Sequence, residues 1–201
     1  MSSIASKYQT VAVSMLLKKL KPKTFSLRTR PLDENDESTV EISAAASTLL
    51  EGTNQRGILL LHGLASNRKM WEECAENLVQ LKYHVISLDL RGMGESHNSA
   101  FLDDEYNLNS YACDIAEIIK QIKTEYGSIW SNPIVAGQSW GGSLALFMAS
   151  RYPHDIVSAV ICVDGGYIDL QGSFPDWEDC EKALRPPGNP CPNPCPVLRQ
   201  Y

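Results

Sequence analysis

Residues 133–142 read Pro133-Ile134-Val135-Ala136-Gly137-Gln138-Ser139-Trp140-Gly141-Gly142. The first five form a short apolar run, and residues 139–152 carry a helical pattern, so the chain turns from strand to helix at Ser139. The stretch matches G-x-S-x-G, a turn that lifts a serine hydroxyl off the end of a sheet. The residue at the apex of so sharp a turn is strained. Gly137 and Gly141 flank it because side chains there would collide with the neighbouring strand or helix. A helix N-terminus beneath Ser139 also favours negative charge developing on a substrate oxygen. The plainer alternative is a glycine-rich turn with an incidental serine. The strand before it and the helix after it weigh against that.

The same rhythm extends in both directions. Residues 57–63 (GILLLHG) are apolar without alternation, as in a strand buried on both faces. Residues 68–81 place Met70, Trp71, Cys74, Leu78 and Leu81 at helical spacing. Residues 84–90 (HVISLDL) read as the next strand and residues 109–126 as a long helix, with a stripe of Ile115, Ile118, Ile119 and Ile122. Residues 157–163 (VSAVICV) read as a fourth strand. Alternating strands and helices imply parallel strands joined by crossover helices. Upstream, residues 24–32 and 38–44 read as an antiparallel pair around a turn at 33–36. The expected organisation is a leader over 1–23, an α/β domain over 24–184, and a Pro/Cys-rich, disordered tail over 185–201. Proline can neither donate to a sheet nor continue a helix.

Composition narrows the functional classes. The 201 residues are 43% hydrophobic and 21% charged, ordinary for one globular domain. A net charge of −6 argues against nucleic acid as a partner, because phosphate neutralisation needs a basic surface. The apolar run at residues 11–17 is too short to insert stably in a membrane and lacks a secretory cleavage site. It reads as an amphipathic leader, with weak attachment to a membrane surface through its lysines left open. Cys74, Cys113 and Cys162 fall within helix and strand patterns, as reduced, buried thiols do, which suggests a reducing, cytoplasmic setting. Cys191 and Cys195 alone make an incomplete metal site, so no metal is expected.

Two further stretches bear on chemistry. His62-Gly63-Leu64 ends the first buried strand, and a loop there can aim a backbone N–H at the same point as that of Trp140. The expected oxyanion donors are Leu64 and Trp140, with Ala65 as the fallback, and the His62 imidazole is expected to brace the loop. Asp89-Leu90-Arg91-Gly92-Met93-Gly94-Glu95-Ser96 follows the second strand. There, Asp89 and Arg91 are expected to pair with each other and fix a tight turn, a structural role preferred over a catalytic one for Asp89.

With HGLASNRKMW at 62–71, DLRGMGES at 89–96, GQSWGG at 137–142 and RYPHDIVSAVICVDG at 151–165 in this order, the chain resembles the α/β-hydrolase superfamily over residues 50–170. The resemblance implies an α/β-hydrolase fold, Ser139 as nucleophile, Leu64 and Trp140 as oxyanion donors, no cofactor, and a small-molecule ester or acyl substrate. Serine at this position points away from the family's dehalogenases and epoxide hydrolases, which place aspartate there. It points toward ester, thioester, amide or C–C bond hydrolysis.

The resemblance also implies a histidine base after the eighth strand. The last histidine of this chain is His154, in a loop at the end of the sheet opposite the elbow. The sheet reads as two strands short, so the chain looks truncated at its C-terminus. Asp164 is the best candidate acid, and His97 is the substitute base to weigh. The expected function is an esterase-like serine hydrolase impaired by the missing base. A non-catalytic binding module and a thioesterase or peptidase are the alternatives. Phe174 and Trp177 either line a pocket or pack in the core. An apolar edge strand at 157–163 invites self-association.

Overall fold

The computed structural model describes residues 20–28, 39–47, 56–96, 106–152, 156–166, 176 and 178–179. Strands β1 (Leu20–Arg28) and β2 (Thr39–Ser47) pair antiparallel along their full length. Phe25 and Leu27 of β1 and Ile42, Ala44 and Ala46 of β2 point inward, the period of two expected when one face is wet. β1 begins at Leu20, earlier than the expected residue 24, so Lys21 and Lys23 belong to the sheet. Lys23 pairs with Glu125 and lies over the rings of Phe25 and Tyr126. Residues 1–19, the turn at 33–36 and the tail at 185–201 lie outside the described residues.

Strands β3 (Ile58–Leu61), β4 (Val85–Leu88), β5 (Ile134–Gln138) and β6 (Ala159–Val163) are mutually parallel. The sheet order is β1-β2-β4-β3-β5-β6, with β2 antiparallel to β4. Between these strands run α1 (Glu72–Gln80), α2 (Leu108–Tyr126) and α3 (Trp140–Arg151). The fold is the α/β arrangement expected, a mostly parallel sheet with crossover helices. α2 has sharp ends. The Asn107 side chain accepts from Ser110 N at 3.0 Å, and Gly127 at φ 80° closes the helix.

Residues at the centre of the sheet are buried on both faces. Ile58 and Leu60 pack on Trp71, Ala75, Val85 and Ala136. Leu59 and Leu61 join the larger core with Ile115, Ile118, Ile119, Ile122, Leu144 and Met148. This two-sided burial is why β3 shows no alternation. The span 68–81 differs from the single helix expected. A 3-10 turn (Arg68–Trp71) precedes α1, and Met70 and Leu81 are exposed. Cys74, Cys113 and Cys162 are also exposed, which corrects their reading as buried thiols. Cys74 and Cys113 sit on the outer sides of helices whose inner sides hold the core, whereas Cys162 shares the Val160 face of β6 and turns its thiol toward Gly142 O at 3.7 Å.

At the N-terminal ends of the parallel strands, His84 is buried between two partners. Its Nε2–H donates to Ser47 O at 2.7 Å, and its Nδ1 accepts from the Trp130 indole at 2.6 Å. Burial pushes its pKa below the usual histidine value. Register places His84 level with Pro133, six residues before Ser139. At about 3.3 Å per residue, the imidazole is about 20 Å from the elbow.

The order of the strands also locates the site. From β3 the chain crosses to β4 on one side, then returns to β5 on the other. The crevice outside the carboxyl ends of β3 and β5 is therefore a topological switch point, where open α/β sheets bind ligands. Ser139 and the loop after β3 both lie there.

Candidate active site

Ser139 follows β5 directly and precedes α3, with φ 50° and ψ −119°. That region suits glycine, so a serine there is strained. The strain is held by close packing on both sides. A Cβ on Gly137 would overlap Gly141 and stand 2.6 Å from Gly142 N. One on Gly141 would stand 2.6 Å from the carbonyl oxygens of Leu61 and His62. The backbone of Ser139 is fully engaged. Its N–H donates to Val163 O at 3.0 Å, and its carbonyl accepts from Gly142 N at 2.9 Å and Ser143 N at 3.2 Å. The side chain is half-buried.

The loop after β3 comes against the same serine. A Cβ on Gly63 would stand 3.3 Å from Ser139 Cβ. Ser66 N–H closes a turn onto Gly63 O at 3.3 Å, with Ala65 left-handed at φ 54°. His62 is fully buried and braces this loop. Its Nδ1–H donates to Gly63 O at 2.7 Å, and its Nε2 accepts Leu90 N–H at 3.0 Å. Burial pushes its pKa down. Among the described residues, the N–H groups of Leu64 and Trp140 have no backbone acceptor.

Asp164 follows β6 directly in a left-handed conformation, φ 48°, and is exposed. The strand delivers it to the elbow, because Val163 O takes the Ser139 N–H. The next residue, Gly165, lies so close that a Cβ there would be 2.5 Å from Ser139 Cα. The Ser143 hydroxyl donates to Gly166 O, tying the same turn to α3.

Asp89 and Arg91 do not pair with each other, a correction to the sequence reading. The Asp89 carboxylate is fully buried and accepts from Arg68 N at 2.6 Å, from the Arg68 guanidinium and from Glu95 N at 2.9 Å. Arg68 also reaches Glu95 at 2.7 Å, and this hydrogen bond holds the Glu95 carboxyl below the usual range. Arg91 makes two bonds to Asp114 on α2, at 2.6 and 2.5 Å. The turn separates the two charges and sends each to a different partner. Asp114, Arg68, Tyr111 and Gly165 are the residues that sequence reasoning missed. Asp114 did carry a signal, being a carboxylate one position before Ile115 on the apolar stripe of a helix, where a charge needs a partner.

His97 and His154 lie outside the described residues, as do Phe174 and Trp177. The two described histidines have both ring nitrogens engaged. Neither offers Ser139 a free lone pair.

A strained serine on a strand-to-helix turn, at the switch point of a mostly parallel sheet, defines a protein built on the hydrolase plan. A family model described as alpha/beta hydrolase fold matches residues 58–186, and the chain belongs to that family. It is 32% identical over 106 residues to epoxide hydrolase 4 of Mus musculus, covering 52% of this chain and 27% of that protein. It is 32% identical over 109 residues to protein ABHD8 of Mus musculus, covering 54% of this chain and 23% of that protein. A candidate lipase from Acinetobacter baumannii superposes with a TM-score of 0.54 at 27% identity, covering 80% of this chain and 47% of that one. These matches thus span about a quarter of the curated relatives and about half of the solved structure. No helix among the described residues is long and apolar enough to cross a membrane.

The two ion pairs can be tested by double-mutant cycles in denaturant. Coupling of about 1 kcal/mol or more is expected for Arg68–Asp89 and for Arg91–Asp114, and near zero for Asp89–Arg91. Acid should also weaken the fold through the histidines. Burial lowers the folded pKa of His62 and of His84, so below pH 6.5, their ordinary value, the unfolded chain binds more protons than the folded chain does. Each histidine then lowers stability by up to about 1.4 kcal/mol per pH unit, until its folded pKa is reached. Urea titrations at pH 7.5 and 5.5 measure this, and equal or greater stability at pH 5.5 would overturn it.

Proposed function

We propose that the chain carries a serine-hydrolase site of esterase type, acting on small ester or acyl substrates. The observation that carries this reading is the strained, half-buried Ser139 with the turn at 63–66 against it. In the proposed reaction, Ser139 Oγ attacks the acyl carbon and its proton passes to a base. The Leu64 and Trp140 N–H groups receive the oxyanion. The leaving alcohol takes a proton, and water then releases the acyl group from Ser139. Asp164, delivered beside the elbow by β6, is the proposed acid that would orient the base. No cofactor enters the scheme.

Carboxyl-type substrates suit this nucleophile better than epoxides. An epoxide opened by an aspartate gives an ester, which water can cleave. The same opening by a serine gives an ether, which water does not cleave. The name of epoxide hydrolase 4 therefore does not set the substrate class proposed for Ser139. Thioesters and amides share the acyl chemistry of esters.

One observation favours a second reading, a non-catalytic module that binds a ligand on this scaffold. Both described histidines are fully engaged, so neither can take the serine proton. A fluorophosphonate probe separates the two readings. Labelling that disappears in Ser139→Ala is expected for the hydrolase. Folded protein that takes no label at all would support the binding module and overturn the first reading.

The exposed strand β6 supports a further proposal about partners. It is an edge among the described strands, and Ile161 and Val163 are 47% and 42% exposed. Pairing of two copies along this edge would satisfy its backbone and cover those side chains. Light scattering across a concentration series should show association. A monomer throughout at micromolar concentration would refute it.

A further inference from the structure

Trp140 has two functions to reconcile. Its backbone N–H is the proposed oxyanion donor, while its side chain is buried in the core. The indole Nε1 has no hydrogen-bond partner among the described residues. No polar contact therefore orients the ring, and its position rests on packing. Tyr111 of α2 provides that packing edge-to-face, with ring centroids 4.6 Å apart and planes at 76°. Tyr111 is itself held by Arg91. The guanidinium carbon lies 5.9 Å from the Tyr111 ring centroid, and the Tyr111 hydroxyl donates to Arg91 O at 3.4 Å. Asp114, one turn along α2 from Tyr111, fixes the Arg91 side chain through two bonds.

We propose that Tyr111 is a positioning residue for the Trp140 oxyanion donor, braced from below by Arg91 and Asp114. The inference rests on the hydrolase reading of Ser139. Its physical basis is that Trp140 is the first residue of α3, where the peptide N–H lies outside the helical ladder. Its direction then follows the first turn, and a ring anchored at that residue limits how far the turn can rotate. Replacing Tyr111 by a smaller aliphatic residue frees the indole, and the N–H spends less time aimed at the oxyanion.

The experiment measures the fluorophosphonate labelling rate of wild type, Tyr111→Phe and Tyr111→Leu at a temperature where circular dichroism shows all three folded. Phenylalanine keeps the ring edge and loses only the hydroxyl. The expected result is near wild-type labelling for Tyr111→Phe and a loss of about five- to tenfold for Tyr111→Leu, the scale of one aromatic pair. A merely structural role would lower the melting temperature of Tyr111→Leu while leaving the labelling rate of the folded protein unchanged, and that would overturn the inference. Should Tyr111→Leu fail to fold, Asp114→Asn is the second variant. It releases the Arg91 brace, a slower labelling rate is expected, and an unchanged rate would equally overturn the inference. Absence of labelling in wild type would refute the hydrolase reading instead, so the two failures are distinguishable.

Discussion

Where β5 runs into α3, the chain comes so close to itself that the Cβ positions of Gly137 and Gly141 fall on neighbouring backbone. The residue between them must then turn through a conformation that L-residues avoid, and Ser139 does so. Its backbone is held by the end of β6 and by the first turn of α3. Strain of this kind persists only when its surroundings over-determine it. The Gly63 loop and the turn at 164–166 supply those surroundings and pack against the same serine. The whole rim of the sheet is thus arranged around one peptide.

The loops on that rim are held by buried charge. Arg68–Asp89 ties the loop after β3 to the end of β4, and Arg91–Asp114 ties the turn after β4 to α2. Each carboxylate accepts more than one bond, which offsets much of the cost of taking it out of water. The two pairs pull in different directions. One secures the loop after β3, and the other supports the aromatic contact behind Trp140.

The two buried histidines show how hydrogen bonds choose a tautomer. His62 carries its proton on Nδ1, because a carbonyl faces that atom and an N–H faces the other. His84 carries its proton on Nε2 for the same reason, with the partners reversed. In both, burial favours the neutral form. Both act as braces in the described structure, one beneath the rim that carries Ser139 and one at the opposite end of the sheet.

The sequence alone determined the order of the elements and the position of Ser139 on a strand-to-helix turn. These features are local. Burial on both faces removes alternation from a strand, a helix shows its stripe at fixed spacing, and a sharp turn demands glycines at fixed offsets. Contacts across the sheet decided the rest. The Asp89–Arg91 pairing looked natural from two charges two residues apart. The turn instead aims them at Arg68, 21 residues upstream of Asp89, and at Asp114, 23 residues downstream of Arg91. Gly165 and Tyr111 likewise carry no local mark, because what they touch, Ser139 and Trp140, is reached only when β6 and α2 pack beside β5 and α3. Spacing along the chain shows which residues share an element. Partners for a buried charge or an unanchored ring are chosen by geometry that exists only after the sheet has closed over them.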